Sequence, residues 1–375
     1  MTALSIGGMI RSESSCGGAD GLVADMAGHR DKGRKSAVQP EKSSRKPTLS
    51  EVAALAGVSQ ITVSRALRGS ALVSRETVEK VQVAADQLGY LRNRLAGALA
   101  GGPSNQVAVI LPSLSNIVFP DVLKGLEDCL EHAGCHPVLG ISNYDPLQEE
   151  ALIRNLLSWR PAGLVIAPSG MTAASRALLA GAGLPVVEIM DIDADPVDMA
   201  VGMSHHAAGL AMARHLLARG YRRMAYAGHD IARDHRAAAR LAGFEAGLAA
   251  AGLSPVARSI LPEPSSVALG RKALAGVLSQ AHTRPDVVYF SNDDMAVGGV
   301  FHCMAEGIAV PAQLAIAGFN GLDLGQSLPQ PLTTTASHRE RIGATAAACI
   351  LKRLAGEKPD RMTDVGFTLI EGHTA

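Results

Sequence analysis

The pattern of apolar and polar positions predicts two short helices joined by a tight turn in residues 48–67. Gly57 supplies the backbone freedom that a sharp turn needs, and helical periodicity flanks it on both sides. The apolar positions that we expect to be buried are Val52, Leu55, Ala56, Val63 and Leu67. The second helix is therefore left with a polar outer face.

Polar residues at the helix starts support this assignment. Thr48 and Glu51 have the spacing of a capping box, in which the hydroxyl accepts from the backbone of residue 51 and the carboxylate from that of residue 48. Ser59 can cap the second helix, and Ser74 can cap a third amphipathic helix that ends at Gly89. The pattern predicts a three-helix module.

The outer face of the second helix is suited to reading DNA. Its residues are Gln60, Ile61, Thr62, Ser64 and Arg65. Gln and Arg side chains can make bidentate contacts to adenine and guanine edges, and hydroxyl groups suit phosphates. An ordinary helical hairpin would also carry a polar outer face, so this face alone leaves both interpretations open.

From about residue 106 onward, short β-branched runs alternate with amphipathic helices. We predict strands at 107–111, 137–141, 163–167, 185–189, 224–227, 287–290 and 314–317. Such alternation implies parallel sheets with helices on both faces. About 270 residues is large for one sheet, so the predicted fold class is α/β with two lobes.

Several separated motifs resemble the LacI/GalR family of bacterial transcription regulators. They are VAALAGVSQITVSRAL, VSRETVEKV, LGYLRNRLAGALA, SNDDMAVGG and AIAGFNGLDLGQ. The similarity runs from about Pro47 to the C-terminus, and VVEIMD, LLSW and GLDLGQ resemble the gluconate-utilisation repressor branch. The implied protein is a DNA-binding repressor.

This resemblance implies an N-terminal three-helix helix-turn-helix domain at 47–90 and a hinge helix with linker at 91–103. Residues 104–375 would form a two-lobed, periplasmic-binding-protein-like domain with parallel sheets, which binds an effector and dimerises. The chain would cross between the lobes near residues 204, 335 and 363. A solute-binding or sugar-processing protein with the same two-lobed fold is the alternative, and the attached helical module counts against it.

The DNA contacts that we predict extend beyond the second helix. They include Thr48 and Ser59, and by resemblance Asn93, Arg94, Ala96 and Leu99 of the hinge. The hinge segment is too short to be a stable helix alone, so pairing with the same segment of a second subunit is expected to fold it. Leu99 would then wedge a base step in the minor groove, and the homodimer would read a near-palindromic double-stranded operator.

Polar residues also follow the predicted strands, where open α/β sheets bind ligands. By resemblance, the effector-contact positions are Phe119, Glu188, Arg236, Arg240, Asn292 and Asn320. Amides and carboxylates bond to hydroxyls and Arg forks onto a carboxylate, so we expect a sugar acid, gluconate or a close relative, with 6-phosphogluconate left open. Taken alone, each of the polar side chains is more typical of a helix cap or a surface ion pair than of a ligand contact, and Asp293 and Asp294 would cap the helix after them.

Charge changes the picture for residues 1–46. The chain has a formal net charge of +0. Within residues 30–46, however, basic residues outnumber the two acidic residues Asp31 and Glu41. The basic residues are Arg30, Lys32, Arg34, Lys35, Lys42, Arg45 and Lys46. The segment has no structural period, so we expect a disordered basic extension that touches the DNA backbone, or a start assigned too early, with Met26 as the true start.

Other functions find little support in the sequence. No nucleophile and base are placed by a motif, no phosphate-binding loop occurs, and no metal, cofactor or membrane span is expected. The five cysteines are scattered without a C-x-x-C pair, which favours reduced thiols in the cytoplasm. The C-terminal region lacks leucine heptads, so we expect a dimer without a coiled-coil tetramer.

Overall fold

A computed structural model describes residues 46–67, 69–70, 72–91 and 104–375, in two compact units divided after Arg92. The predictions for residues 1–45 and for the hinge positions Asn93, Arg94, Ala96 and Leu99 lie outside the described residues. The two units are taken separately.

The N-terminal unit is a three-helix module. Its helices are α1 (Leu49–Ala56), α2 (Gln60–Ala66) and α3 (Arg75–Leu88). Thr48 and Glu51 form the predicted capping box, Ser59 and Ser74 cap the next two helices, and Gly57 ends α1 at a φ of 66°. Local spacing alone therefore accounts for the starts of all three helices.

The core of this module differs from the prediction at one position. Val52, Val63 and Val81 are fully buried, but Leu55 is 51% exposed, and Ala53 is buried in its place. A helix of eight residues has only about two turns, so its apolar stripe can rotate by one position without breaking the periodicity. Packing against α3 selects the face.

The first lobe of the larger unit, lobe 1, is a six-stranded sheet with two helices on each face. Its strands are β1 (Gln106–Leu111), β2 (His136–Ile141), β3 (Gly163–Ile166), β4 (Val186–Asp191), β5 (Met199–Met203) and β11 (Met362–Asp364). Its helices are α4 (Val118–His132), α5 (Pro146–Ser158), α6 (Ala173–Ala180) and α12 (Arg339–Leu354). The strand order is β11-β5-β4-β3-β1-β2, with parallel pairing throughout.

The second lobe, lobe 2, repeats this plan. Its strands are β6 (Met224–Gly228), β7 (Ala257–Ile260), β8 (Val287–Phe290), β9 (Ala315–Asn320), β10 (Thr333–Ser337) and β12 (Phe367–Ile370). Its helices are α7 (His205–Ala218), α8 (His235–Ala249), α9 (Val267–Gln280), α10 (Asp293–Ala305) and the short α11 (Asp323–Gln326). The order is β12-β10-β9-β8-β6-β7, and only β12 pairs antiparallel to its neighbour.

The chain passes between the lobes three times. It leaves β5 at Ser204, leaves β10 at His338, and runs from β11 to β12 through residues 365–366. The crossings lie near the predicted positions 204, 335 and 363, although 335 and 363 themselves fall inside β10 and β11. The sequence pattern did not predict β10, because its residues, TTTAS, are mostly polar although they are buried.

Close helix packing places the start of α8. A Cβ on Gly209 of α7 would lie 1.9 Å from the Arg240 carbonyl oxygen, and one on Gly243 of α8 would lie 1.9 Å from the His206 carbonyl oxygen. No side chain fits at either position, so the backbones of α7 and α8 touch. This contact brings the first residues of α7 beside the arginines of α8.

Candidate DNA-reading helix and inter-lobe site

Helix α2 presents most of its predicted face to solvent. Gln60, Ile61 and Arg65 are exposed, and Thr62 and Ser64 are partly buried. Ile61 is 65% exposed, so its apolar side chain is available to a binding partner. A thymine methyl group is one such partner for an apolar side chain in a major groove.

The two capping positions are partly committed to the module itself. The Ser59 hydroxyl accepts from the Thr62 amide at 3.1 Å and lies 2.9 Å from the Thr62 hydroxyl. The Thr48 hydroxyl donates to the Glu51 carboxylate at 2.9 Å. DNA contacts by Thr48 and Ser59 stay predictions.

In the larger unit, Arg240 is the centre of a buried polar cluster. It is 4% exposed, and its guanidinium lies 4.0 Å from the Phe319 ring centre. Its Nη1 donates to His205 Nδ1 at 3.0 Å, and its Nη2 donates to the Ser291 carbonyl at 3.1 Å and to Asn292 Oδ1 at 3.2 Å. The buried Nε has no partner among the described residues. All these contacts are electrically neutral.

Arg236 lies one helical turn before Arg240 and reaches across to lobe 1. It is 5% exposed, and its Nη1 donates to the Pro168 carbonyl at 3.1 Å. Its Nε is 4.0 Å from Asp234, whose carboxylate caps α8 through the Ala237 amide. Two guanidinium groups therefore enter the same inter-lobe region from one helix.

A short chain of hydrogen bonds supports the start of α8. Asp234 lies 3.2 Å from His229 Nε2, and His229 Nδ1 lies 2.9 Å from the Ser291 hydroxyl. Burial opposes ionisation of Asp234, but the His229 hydrogen bond and the charges of Arg236 and Arg240 hold its pKa well below the usual range. Asp234 therefore stays a carboxylate.

Lobe 1 contributes residues that the sequence analysis missed. Glu149 of α5 is fully buried; its Oε2 accepts from the Ser169 amide at 2.7 Å, and its Oε1 has no partner among the described residues. Burial raises its pKa, and Arg236 acts in the opposite direction. Glu149 lies in the first turn of α5, where an acidic side chain ordinarily interacts favourably with the helix dipole. The sequence analysis therefore did not single it out as a residue of the inter-lobe site.

Tyr144 is a second missed residue of lobe 1. Its hydroxyl accepts from Asn116 Nδ2 at 3.0 Å. Burial and the charge of Asp234 raise the pKa of Tyr144, while the charges of Arg236 and Arg240 lower it. The phenol of this lobe 1 residue is therefore within electrostatic range of charged side chains of lobe 2. Its place just after β2 was a usable signal, because ligands bind beyond strand ends.

The two predicted asparagines are both buried, at different points of the site. Asn292 faces Arg240 and donates through Nδ2 to the Ser265 hydroxyl at 3.0 Å. Asn320 has a φ of 123°, in the left-handed region that strains any residue but glycine. Its carbonyl accepts from Arg339 Nη1.

That Arg339 contact forms another link between the lobes. Arg339 begins α12 of lobe 1, and its Nε donates to Asp121 at 2.8 Å. It thus joins α4 and α12 to the end of β9 in lobe 2. Sequence analysis gave Arg339 no role because it follows no predicted strand.

The expected caps at Asp293 and Asp294 are wrong. Asp293 is fully buried; it accepts from the Thr334 hydroxyl at 2.6 Å and the Leu322 amide at 2.7 Å, and burial raises its pKa to about 6. Asp294 accepts from the Ser265 hydroxyl. Long-range partners have taken both carboxylates away from the helix start.

Phe119 and Glu188 have their contacts inside lobe 1. Phe119 belongs to the apolar core of that lobe. Glu188 is 8% exposed, accepts from the Val197 amide at 2.6 Å, and has its pKa raised by burial. The structure thus places Arg236, Arg240 and Asn292 in one region, while Phe119 and Glu188 contact residues of lobe 1. Effector contacts by all six predicted residues, Asn320 included, stay predictions.

Three further structural findings bear on function. Within the described ranges, no cluster of three or more His, Cys, Asp or Glu residues could hold a metal ion. No helix there is both long and apolar enough to cross a membrane. The four cysteines of the described part, at 129, 135, 303 and 349, are free thiols.

Comparison with known proteins decides the family. Residues 48–93 match the model of bacterial regulatory proteins, lacI family, and residues 213–375 match that of a periplasmic binding protein-like domain. The HTH-type transcriptional regulator GntR of Pseudomonas aeruginosa is 41% identical over 87% of this chain and 94% of its own length. The chain belongs to the LacI family. It is a DNA-binding transcriptional regulator.

Solved structures agree with this family membership. A LacI family transcriptional regulator from Silicibacter pomeroyi is 42% identical, has a TM-score of 0.83 and covers 88% of this chain and 99% of its own. The lac repressor dimer bound to operator and an anti-inducer is 25% identical, with a TM-score of 0.77 over 88% of this chain and 99% of its own. The predicted family and fold class are confirmed.

Proposed function

We propose that this LacI family member is a homodimeric repressor of transcription whose affinity for operator DNA is set by a sugar acid, gluconate or a close relative, bound between the lobes. It acts in the cytoplasm. The observation that carries the proposal is the buried Arg240, which no carboxylate contacts in the described structure. Asp234 acts on this guanidinium only from a distance. A buried cation with no carboxylate in contact is costly, and an anionic ligand would reduce that cost.

The surroundings of Arg240 suit the rest of such a ligand. Arg236 supplies a second cation, and the Asn292 amide and Tyr144 phenol supply groups that bond to hydroxyls. A sugar acid carries one anionic group and several hydroxyls. The resemblance to the gluconate-utilisation branch supports gluconate or a close relative, and 6-phosphogluconate is tested beside gluconate.

Links between the lobes explain how a ligand could alter DNA binding. Arg236 to Pro168 and Arg339 to Asn320 both join lobe 1 to lobe 2, so a ligand that changes the lobe angle must rearrange them. We propose that the rearrangement separates the paired hinge segments, in which Asn93 and Arg94 contact the DNA backbone and Ala96 and Leu99 enter the minor groove. The ligand must bind the two states unequally for any shift to occur.

A combined melting and gel-shift experiment tests this function. Gluconate, 6-phosphogluconate and uncharged glucose are added separately to the full chain. We expect a sugar acid, but not glucose, to raise the melting temperature, because a ligand at a hundred times its Kd stabilises by about 2.7 kcal/mol. The same compound should change the mobility shift of operator DNA. A sugar acid that binds without altering DNA affinity would refute the effector role.

A second measurement tests the hinge. Leu99→Ala should weaken operator binding while calorimetric binding of gluconate stays intact, because the proposed wedge would contact DNA and not the effector. Unchanged operator affinity would show that Leu99 does not enter the groove.

A further inference from the structure

His205 occupies the point where the chain first enters lobe 2. It follows β5 of lobe 1 and Ser204, and it is the first residue of α7. The side chain is 2% exposed, and its ring lies 5.7 Å from that of Phe319. A buried imidazole at a crossing between lobes requires partners for both ring nitrogens.

Both ring nitrogens have one. Nδ1 lies 3.0 Å from Arg240 Nη1, and Nε2 lies 3.0 Å from the Met190 carbonyl oxygen. A guanidinium can only donate and a carbonyl can only accept, so Nδ1 is the acceptor and Nε2 carries the hydrogen. Burial, together with the charges of Arg240 and Arg236, holds the pKa of His205 well below its usual range. The neutral Nε2–H tautomer is the one that fits.

The lobe 1 partner is itself unusual. Met190 lies near the end of β4 and has a φ of 82°, in the left-handed region. The next residue, Asp191, lies 3.6 Å from His235 Nε2 of α8. The end of β4 therefore contacts lobe 2 twice, through His205 and through His235.

The geometry points to His205 as the positioning residue of the inter-lobe site: its Nδ1 holds the Arg240 guanidinium in place for the effector anion, and its Nε2–H ties that guanidinium to the end of β4. This inference rests on the proposed function, because it assigns Arg240 to the effector. The two hydrogen bonds have separate consequences. The first sets effector affinity, and the second transmits effector binding to lobe 1.

Two amide variants separate the two bonds. In His205→Asn the amide oxygen takes the place of Nδ1 and still accepts from Arg240, while the donor to Met190 is lost. In His205→Gln the amide nitrogen takes the place of Nε2 and still donates to Met190, while the acceptor for Arg240 is lost. The matched control is His206→Gln, at the adjacent exposed histidine.

Calorimetry with gluconate and gel shifts with operator DNA give the first readouts. We expect H205Q to weaken gluconate binding about tenfold or more, since a hydrogen bond to a charged group is lost. H205N should rescue the affinity to within about threefold, yet gluconate should change its operator affinity less than it does in the wild type. H206Q should match the wild type. Equal losses in H205N and H205Q, or none in either, would overturn the inference, since a residue that only fills space cannot tell the two amides apart.

NMR of the ligand-free full chain tests the geometry without an effector. Nitrogen shifts at neutral pH should show a neutral His205 protonated on Nε2. The Arg240 Nε–H signal should move in H205Q and stay near the wild-type position in H205N. Failure of the wild type to bind any sugar acid would refute the proposed function alone. A ring protonated on Nδ1, or an Arg240 signal indifferent to both variants, would refute the positioning role.

Discussion

The DNA-reading module and the inter-lobe site hold their polar side chains in opposite ways. In the module, Thr48 bonds to Glu51 and Ser59 to Thr62, each pair three residues apart. In the inter-lobe site, Arg240 reaches His205 across 35 residues and Asn292 across 52. One region is built from neighbours in the sequence and the other from distant segments.

In the DNA-reading module, the residues that we expect to bind DNA contribute little to the stability of the fold. In the inter-lobe site, the same buried residues serve both binding and stability. Gln60, Ile61 and Arg65 are exposed, so replacing them should change DNA binding and leave the fold almost untouched. Arg240 and Asp293 are buried and hydrogen-bonded, so replacing them also leaves other buried groups without partners. Substitutions in the two regions should therefore give different patterns of loss.

The largest expected effect comes from Arg240→Ala. Removing the buried guanidinium should weaken gluconate binding about a hundredfold or more, because truncating a buried charge partner costs about 3 kcal/mol or more. Repression without effector should persist. Calorimetry and operator gel shifts check both, with Arg233→Ala, 74% exposed nearby, as the control. Retained induction would remove Arg240 from the site.

Next in size is the pH response of Asp293. Its pKa is raised from 3.8 to about 6, so the fold favours the protonated acid. This contribution is fully present below about pH 3.8 and is lost as the pH rises through about 6, a change of about 3 kcal/mol at most.

Asp293→Asn should therefore remove the part of the unfolding free energy that depends on the protonation of Asp293. The unfolding free energy of the wild type minus that of the variant, from urea titrations, should fall between about pH 4 and about pH 7. Asp128→Asn, which removes the same group at an exposed position of lobe 1, is the control. A difference that stays flat, or rises, would show that the Thr334 and Leu322 hydrogen bonds outweigh burial.

Arg65→Ala tests the DNA-reading module, in which we expect DNA binding and stability to be separable. We expect a loss of about 2 kcal/mol in specific operator binding with little change in nonspecific binding or in stability. Lys80→Ala removes the same charge from α3, where Lys80 pairs with Glu76, and serves as the control. An equal loss on specific and random DNA would mean that Arg65 contacts phosphate only.

The smallest expected effect is that of Thr48→Ala. Loss of the capping hydroxyl should cost about 1 kcal/mol, seen as faster hydrogen exchange in α1, and Thr48→Ser should restore protection. Gluconate binding should be unaffected in both. If α1 exchanges at the wild-type rate without the hydroxyl, the capping box contributes nothing measurable.

What could be predicted from sequence follows the same division. Caps at Thr48, Ser59 and Ser74 depend on spacings of three residues, and all three were predicted correctly. The alternation of strands and helices was also visible, because it is a local periodicity. The buried face of α1 could not be predicted from its periodicity, because a stripe with Leu55 and a stripe with Ala53 both fit the helical repeat. Packing against α3 buried Ala53 and left Leu55 exposed.

The inter-lobe site depended on tertiary structure. Sequence reasoning reached Arg236, Arg240 and Asn292 through family resemblance, yet it missed His205 and misread Asp293 as a cap. By itself the sequence determined the helix starts of the N-terminal module, the α/β alternation and the chemistry carried by each strand end. Only the folded chain decided which distant groups would meet, because strand order and helix packing bring together residues whose separation in sequence carries no signal of contact.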